Sequence, residues 1–475
     1  MAMSELTRIK KNKNFHSFEN PQIIKNNKIQ IPKWGWIFRF GVLVLIGLLL
    51  FNINSQASDL GDPYIIYSTI LPIYSILVLV VAWFLYKNPV SETSKKPLVS
   101  VIIPIYNQVN LISEVIKTIN NSKYKNLEII AVNDGSTDGT EEILNELNHN
   151  IKNLKIINKK NGGKRKAVGT GFQHSKGDII ILIDSDSILH KNAIGEFVKA
   201  FNNDPKVGGV VANVKALNES KNILTKIQDI WYDYQFNIHK TVESFFGVVL
   251  CLSGCMAGYR RKAIEDIIGY WINTEKASGD DRELTTLVQS KKWAKSGLLS
   301  TYTKNRLQYA ANYDDTEDRI LSGQSLIEWK TAYISSAVVF TEVPETLKQF
   351  YKQQLRWTKG YLRGQFFVSA FFWNKHPLMA LIFYLEYMST LTLPLIFFVV
   401  FIYEPFIAQN FQFFGYYLAT MSLIGILEGV DSKLRNPKSI TWKYKILTNL
   451  FIKFFKTFTI PPALLTLRSS HWGTR

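Results

Sequence analysis

Two aspartates separated by one serine, Asp184 and Asp186, follow an apolar run near the middle of the chain. The run, residues 178–184, is rich in isoleucine and is typical of a buried parallel strand. Open α/β sheets place ligands at the carboxyl ends of such strands. Two carboxylates there suit a hard divalent cation, Mg²⁺ or Mn²⁺, that bridges to phosphate groups. The alternative interpretation is a solvated turn that only ends the strand.

The segments before these aspartates predict the sheet that would position them. Strands are expected over residues 99–107, 127–133 and 154–157, and a helix over residues 110–119. The resulting β-α-β-α-β order predicts an α/β fold with right-handed connections and a mostly parallel sheet.

A glycine-rich basic loop follows the third of these strands. Gly162 and Gly163 precede Lys164 and Arg165. Flexible backbone N–H groups and two cations suit a diphosphate, although an ordinary basic surface turn has the same composition. The chain has neither the glycine pattern of a dinucleotide-binding fold nor that of a P-loop, so neither is indicated.

Composition favours a protein that works at a membrane. The chain has 475 residues, of which 47% are hydrophobic and 13% aromatic, and its formal net charge is +18. Such a charge is typical of proteins that bind nucleic acid, anionic lipid or an anionic substrate. No nucleic-acid-binding module is visible, so no nucleic-acid partner is expected. The basic residues cluster beside apolar segments, which favours the inner surface of a lipid bilayer.

The chain contains two cysteines, Cys251 and Cys255. No histidine or second cysteine pair completes a zinc site around them. A disulfide at this spacing is not expected in a cytosolic domain. For Cys251 the favoured interpretation is a small buried residue.

Apolar segments on both sides of the α/β pattern predict membrane spans. The first two, residues 36–53 and 64–86, form a hairpin with lysine-rich flanks, which places both of its ends in the cytoplasm. The resulting domain order is a cytoplasmic tail (1–33), a transmembrane hairpin (34–90), a cytoplasmic α/β domain (97–345), amphipathic interface helices (346–373), a C-terminal transmembrane or re-entrant region (377–467) and a cytoplasmic tail (468–475).

The last apolar segment, residues 447–467, is harder to interpret. Lys453 and Lys456 interrupt it, and Pro461-Pro462 is expected to break it. A full crossing would place the basic tail outside the cell, against the positive-inside tendency. We therefore expect an interfacial or re-entrant segment, or a tight helical hairpin.

A set of motifs in this order resembles the processive family-2 glycosyltransferases with a GT-A (Rossmann-like) fold, and most closely the hyaluronan synthases. The resemblance covers residues 95–475. The motifs that carry it are Asn133-Asp134-Gly135-Ser136, Gly163-Lys164-Arg165, Asp184-Ser185-Asp186, Cys251-Leu252-Ser253-Gly254, Gly279-Asp280-Asp281-Arg282, Gln353-x-x-Arg356-Trp357 and Trp472-Gly473-Thr474-Arg475.

The resemblance implies a donor site made of acidic and basic residues. Asp186, with Asp184 nearby, would hold Mn²⁺ or Mg²⁺. Lys164 and Arg165 would stabilise the diphosphate of a UDP-sugar. Asp134 would bind the uracil or the ribose.

The resemblance also implies an acceptor site. Asp281 would be the general base, with Asp280 as the alternative, because sequence alone does not separate adjacent carboxylates at a helix start. Within the motif that contains Gln353, Arg356 would pair with the diphosphate and Trp357 would stack on the acceptor sugar.

Two further segments are implicated by the resemblance. Cys255 lies in a stretch similar to the acceptor-site loop, and Trp472 and Arg475 lie in a tail similar to that of hyaluronan synthases. Asn133, Cys255 and Glu283 depart from the usual family pattern.

The resemblance therefore implies a multi-pass plasma-membrane enzyme with a cytoplasmic catalytic domain. It would polymerise hyaluronan from UDP-N-acetylglucosamine and UDP-glucuronate by inverting transfer, and extrude the growing polysaccharide through its own channel, with a monomer as the expected state. Synthesis of chitin or poly-N-acetylglucosamine is the first alternative. A non-processive transferase that acts on a lipid carrier is the second.

Overall fold

The computed structural model describes residues 24–25, 28–29, 34–41, 43–44, 47–48, 76–273, 279–290, 328–437 and 441–467. Within this part of the chain, eight strands form one mixed sheet, in the order β3-β2-β1-β4-β7-β6-β8-β5. The strands are β1 Val99–Ile105, β2 Leu127–Asn133, β3 Leu154–Asn158, β4 Ile179–Leu182, β5 Ser187–Leu189, β6 Val207–Ala216, β7 Ala257–Arg260 and β8 Lys330–Thr341.

Strands β1 to β4 form the parallel half of the sheet. Strand β1 pairs in parallel with β2 and β4, and β2 pairs in parallel with β3. Helices connect them because parallel neighbours need crossovers. This confirms the predicted α/β fold and the β-α-β-α-β order of its first half.

In the other half of the sheet β6 and β8 also pair in parallel, so the expectation of a mostly parallel sheet is confirmed, with two antiparallel strands, β5 and β7. Strand β7 lies antiparallel between β4 and β6, and the short β5 lies antiparallel on β8 at the edge. The chain reverses directly after β4, and residues 183–186 are too few for a parallel crossover.

The helices flank the sheet and continue into the C-terminal region. They are α1 Ile112–Asn120, α2 Thr140–Asn150, α3 Lys164–Gln173, α4 Ala193–Asn203, α5 Ile223–Tyr234, α6 Lys240–Phe245, α7 Arg261–Ile264, α8 Ile268–Asn273, α9 Asp280–Ser290, α10 Leu347–Phe372, α11 Pro377–Phe398, α12 Gln412–Arg435 and α13 Lys445–Leu465. A π-helical segment, Gln235–His239, joins α5 to α6, and another, Val399–Ile407, extends α11.

Where the sequence predicts interface helices over residues 346–373, the structure has one helix, α10. Thr346 starts it through a capping box, in which its side chain accepts a hydrogen bond from the backbone N–H of Gln349 and the Gln349 side chain bonds back to the cap. The continuous helix carries the whole Gln353–Trp357 motif on one rigid element.

One helix among the described residues, Pro377–Ile407, is long and apolar enough to cross a membrane. A shorter apolar helix covers Ile76–Leu85. Much of the first predicted span and the beginning of the second lie outside the described residues.

The predicted break at Pro461-Pro462 is wrong, because α13 continues through both prolines to Leu465. Proline fixes φ near the helical value, so a helix can continue through it, although it loses one hydrogen bond and its ring crowds the carbonyl four residues earlier. Near the prolines, the hydroxyls of Thr457 and Thr459 donate to the carbonyls of Lys453 and Lys456.

Candidate active site

The predicted acidic residues follow strands whose carboxyl ends lie side by side. Ile105 at the end of β1 pairs with Asn133 at the end of β2, and Ile102 of β1 pairs with Leu182 at the end of β4. Asp134, Asp184 and Asp186 come directly after these strand ends, so parallel pairing brings them to one edge of the sheet.

A lysine and two carboxylates converge at this edge. Lys164 Nζ lies 2.6 Å from Asp184 Oδ1 and 3.8 Å from Asp281 Oδ1. Burial alone would lower the pKa of Lys164, but the two carboxylates raise the pKa above the ordinary lysine value. The lysine therefore stays charged between two residues that come from β4 and α9.

Gly254 lies at the centre of this group. Its carbonyl accepts a hydrogen bond from the Asp184 N–H at 2.9 Å, and its own N–H donates to Asp281 Oδ2 at 2.8 Å. A Cβ on Gly254 would lie 2.8 Å from Lys164 Nζ and 3.0 Å from each carboxylate. The sequence drew attention to this stretch, but only the structure identifies the glycine as the residue that leaves room for the three side chains.

The two aspartates of the acidic pair face different surroundings. Asp281 points to Lys164 and Gly254, and its side chain is 34% exposed. Asp280 is 5% exposed and lies 2.7 Å from Arg165 Nε. Burial raises the pKa of Asp280, and Arg165 opposes the shift. The geometry therefore exposes Asp281 to the pocket, the residue that the resemblance put first, and buries Asp280, the alternative.

The Arg165 side chain bonds to other residues of the fold, so we interpret it as a positioning residue. The sequence had suggested that it binds the diphosphate. Its guanidinium pairs with Asp280 and, at 2.6 Å, with Glu283. It also donates to the Trp271 carbonyl and lies over the Trp271 ring. The arginine thus ties α3 to the start of α9, and it gives Glu283 a partner inside the fold.

Asp134 holds the basic loop in place through hydrogen bonds and an ion pair. Its carboxylate accepts hydrogen bonds from the backbone N–H groups of Gly162 and Gly163, at 3.0 and 2.8 Å, and lies 2.5 Å from Lys159 Nζ. Gly163 has φ +89°, which favours glycine because a Cβ strains this conformation. Lys159 was not singled out from the sequence, although its position just before the loop was a usable signal.

Asp184 and Asp186 fit a divalent cation that also binds phosphate. Thr341 Oγ1 lies 3.4 Å from an oxygen of Asp186, which is 9% exposed. Among the described residues, no cluster of three or more histidine, cysteine or acidic side chains forms a closed metal cage. Two carboxylates, completed by water and phosphate oxygens, would match the preference of Mg²⁺ or Mn²⁺.

Cys255 lies next to these carboxylates. Its Sγ is 3.7 Å from Ser253 Oγ. Burial, followed by the charges of Asp184 and Asp186, raises the pKa of Cys255 to about 12, so the thiol is protonated at neutral pH. A neutral small side chain at this position is compatible with a binding role.

Helix α9 is seated on α10 through glycines. Gly279 has φ +100°, and a Cβ there would lie 3.1 Å from the Gly360 Cα. A Cβ on Gly364 would lie 2.3 Å from Arg282 Cδ, and the Arg282 guanidinium lies over the Tyr361 ring. Close packing therefore fixes the acidic pair relative to the helix that carries Gln353, Arg356 and Trp357.

Trp357 belongs to a group of rings that we call the aromatic platform, formed by Trp231, Tyr232 and Trp357. The Trp357 ring centroid lies 6.0 Å from that of Trp231 and 6.4 Å from that of Tyr232. Trp357 is 36% exposed. Sequence reasoning missed Trp231 and Tyr232, because no motif marks α5.

The remaining residues of the predicted site lie on α10 and in the C-terminal tail, and the charge of Arg356 acts on Tyr232 of the platform. Gln353 and Arg356 are partly buried on α10, one turn and one residue before Trp357 respectively. Trp472 and Arg475 lie outside the described residues, so their predicted contribution stays a prediction.

Comparison with known proteins shows which families and relatives the chain resembles. The Glycosyl transferase family 2 model matches residues 100–268, which run from β1 beyond β7. The chain therefore contains a family-2 glycosyltransferase domain. The family-2 match includes Asp134, Lys164, Asp184 and Gly254, whereas α9 and α10 lie beyond it.

Similarity to known glycosyltransferases extends over most of the chain. Hyaluronan synthase of Streptococcus pyogenes is 26% identical over 450 residues, which cover 93% of this chain and 96% of the relative. Poly-beta-1,6-N-acetyl-D-glucosamine synthase of Staphylococcus aureus is 26% identical over 296 residues, 62% of each chain. The chain is therefore similar to synthases of two different polysaccharides.

A solved structure supports the fold. The mannosyltransferase PcManGT from Pyrobaculum calidifontis, solved in complex with GDP-Man and Mn²⁺, matches with a TM-score of 0.51 at 16% identity, over 89% of this chain and 99% of its own. The α/β domain thus has the GT-A fold, as the sequence motifs predicted.

Proposed function

We propose that this protein is a processive, inverting glycosyltransferase that polymerises hyaluronan from UDP-N-acetylglucosamine and UDP-glucuronate. The observation that carries the proposal is the convergence of Lys164, Asp184 and Asp281 around Gly254, beside a helix that carries an aromatic platform residue. Similarity to hyaluronan synthase over 93% of the chain supports the choice of polymer.

In this proposal Asp281 is the general base. Its carboxylate accepts the proton of the acceptor hydroxyl while the hydroxyl oxygen bonds to the anomeric carbon of the donor. The bond between that carbon and the UDP oxygen breaks, and UDP leaves with the electron pair. A single displacement on an α-linked donor inverts the centre and gives a β-glycosidic bond. The Gly254 N–H orients the base through its 2.8 Å hydrogen bond.

The leaving diphosphate needs positive charge close to Asp184. Lys164 supplies one cation, which its carboxylate neighbours keep protonated. Asp186, with Asp184, would hold Mn²⁺ or Mg²⁺, which would offset the remaining diphosphate charge. Asp134 holds the loop that presents Lys164, and its motif is proposed to bind the uridine. Arg356 is proposed to pair with the diphosphate from α10.

The proposed location is the plasma membrane, with the α/β domain in the cytoplasm. The helix Pro377–Ile407 supports at least one crossing. Helix α10 packs directly on α13, with the rings of Phe350 and Phe455 4.8 Å apart. A product that leaves the acceptor site along α10 would therefore enter the C-terminal helices, which we propose form its channel.

Polymerisation of N-acetylglucosamine alone is the second candidate, and the similarity to the poly-N-acetylglucosamine synthase favours it. Its donor chemistry would use the same groups around Gly254. The two candidates differ in the number of donors that a long product requires.

Purified enzyme given each labelled UDP-sugar alone and in pairs distinguishes them. Hyaluronan synthesis requires UDP-N-acetylglucosamine and UDP-glucuronate together, and the product is degraded by hyaluronidase. A long hyaluronidase-resistant polymer from UDP-N-acetylglucosamine alone would refute hyaluronan synthesis and support the second candidate.

A further inference from the structure

A lysine of α13 lies beside the aromatic platform. Lys456 Nζ is 5.7 Å from the centroid of the Trp231 ring. In the part of the chain that the structure describes, no carboxylate oxygen lies within 4.0 Å of this nitrogen. A cation on an apolar helix without a paired anion is costly, and such residues commonly serve a ligand or a transport path.

Packing on either side of Lys456 fixes its position relative to Trp357. The Phe350 and Phe455 rings lie 4.8 Å apart, and the hydroxyls of Thr358 and Thr459 lie 3.5 Å apart. On α13 these contacts lie one residue before and three residues after Lys456, and on α10 they lie about two turns before and one residue after Trp357. The packing of α13 on α10 therefore keeps the Lys456 ammonium group close to the aromatic platform.

We propose that Lys456 and Trp231 form a subsite for an acidic sugar of the growing chain, next to the acceptor position at Trp357. Lys456 Nζ pairs with the uronate carboxylate as a charge-assisted donor, and the Trp231 ring packs on the apolar face of the same sugar. This inference rests on the proposed function and deepens it, because it assigns a residue that distinguishes a uronate polymer from a neutral one.

The charged groups around Lys456 are compatible with this role. Glu386 of α11 attracts the lysine at longer range, and His239 and Lys453 complete its titratable surroundings. The neighbouring cation Lys453 is directed elsewhere, since its Nζ lies 2.9 Å from the Met421 Sδ of α12. Lys453 is therefore a matched control on the same helix.

Oligosaccharide binding tests the subsite. Purified full-length protein is titrated with a hyaluronan tetrasaccharide and with chitotetraose, and tryptophan fluorescence or calorimetry gives the dissociation constants. We expect Lys456→Met to weaken binding of the hyaluronan tetrasaccharide by about tenfold and binding of chitotetraose less than twofold. Lys456→Arg should retain the preference, and Lys453→Met should leave both constants unchanged.

The possible failures are distinguishable. Equal weakening of both ligands by Lys456→Met, no weakening, or no binding of the hyaluronan tetrasaccharide by the wild type overturns the subsite. The polymer assay on the same wild-type preparation reports separately on the proposed function. A wild type that makes hyaluronan while Lys456→Met binds normally would refute the subsite alone, whereas a long polymer from UDP-N-acetylglucosamine alone would refute the proposed function.

Discussion

The difference between Asp280 and Asp281 is the sharpest residue-level consequence of the structure. Asp281→Asn should lower transfer by about 100-fold or more, because it removes the proposed general base, and leave UDP binding nearly intact. Asp280→Asn should instead lower the free energy of unfolding by about 2 kcal/mol, because it weakens a buried bond to Arg165. Calorimetry with UDP and Mn²⁺, turnover assays and thermal unfolding measure the three quantities. Loss of UDP binding with turnover kept in Asp281→Asn would contradict the assignment.

A second residue-level prediction concerns pH. Burial raises the pKa of Asp229 on α5 to about 7, although Lys215 opposes the shift and the Ala216 N–H donates to the carboxylate. A carboxyl whose pKa is higher in the folded state binds more protons when folded, so its contribution to stability is lost as pH rises from the ordinary aspartate range through 7.

Asp229→Asn stays neutral and should therefore stabilise the protein at pH 8 relative to wild type, with little difference at pH 4. Denaturant unfolding at both pH values measures this. Glu114→Gln, at an exposed position, is the control. Parallel pH profiles for wild type and Asp229→Asn would rule out the shift.

At the scale of elements, the close packing of α9 against α10 should affect the turnover rate, because α9 carries Asp281. Gly364→Ala places a methyl group 2.3 Å from Arg282 Cδ and 3.0 Å from its Cγ, so the Arg282 side chain must move, and we expect α9 and Asp281 to shift with it. Because a displacement of about 1 Å at a catalytic group can cost 100-fold, we expect turnover to fall by about that factor while the protein remains folded.

Gly195→Ala on α4 is the matched control for this substitution. Nothing lies within 4 Å of a Cβ at Gly195, and alanine stabilises a helix by about 0.5–1 kcal/mol relative to glycine. Turnover assays and thermal unfolding of both variants provide the measurement. Wild-type turnover in Gly364→Ala would mean that α9 is not positioned by this contact.

At the scale of the whole molecule, a buried ion network joins the α/β domain to the apolar helices. Asp431 of α12 lies 2.8 Å from Arg39 and 2.9 Å from Arg435. Arg435 also makes two hydrogen bonds, at 2.9 and 2.8 Å, to the carboxylate of Asp233 on α5. Asp431 is 1% exposed, so its charge is compensated only by these partners among the described residues.

Asp431→Asn should therefore destabilise the protein by about 3 kcal/mol, because two buried arginines lose a shared counterion. Thermal unfolding of the detergent-solubilised protein measures the loss. Glu114→Gln removes the exposed pair with Lys117 and should change stability by about 0.5 kcal/mol or less. Equal effects of the two substitutions would show that the network does not couple the two parts of the molecule.

The sequence by itself predicted the first half of the sheet and the presence of a family-2 glycosyltransferase domain. Period, composition and strand-end acids are local properties, and they predicted β1 to β4 and the start of α9. The family was implied by the resemblance of short motifs. The sequence did not predict the antiparallel strands β5 and β7, because their pairing depends on segments that are far apart in the chain.

Only the tertiary structure decided which of two adjacent carboxylates faces the pocket. Successive helical residues point about 100° apart, so the sequence predicts that Asp280 and Asp281 diverge but not which one meets Lys164. The same limit applies to Arg165, because its partners lie on α8 and α9. It applies to Gly254, because the missing Cβ matters only where three side chains converge. It also applies to Lys456, which lies near the Trp231 ring because α5 and α13 pack together.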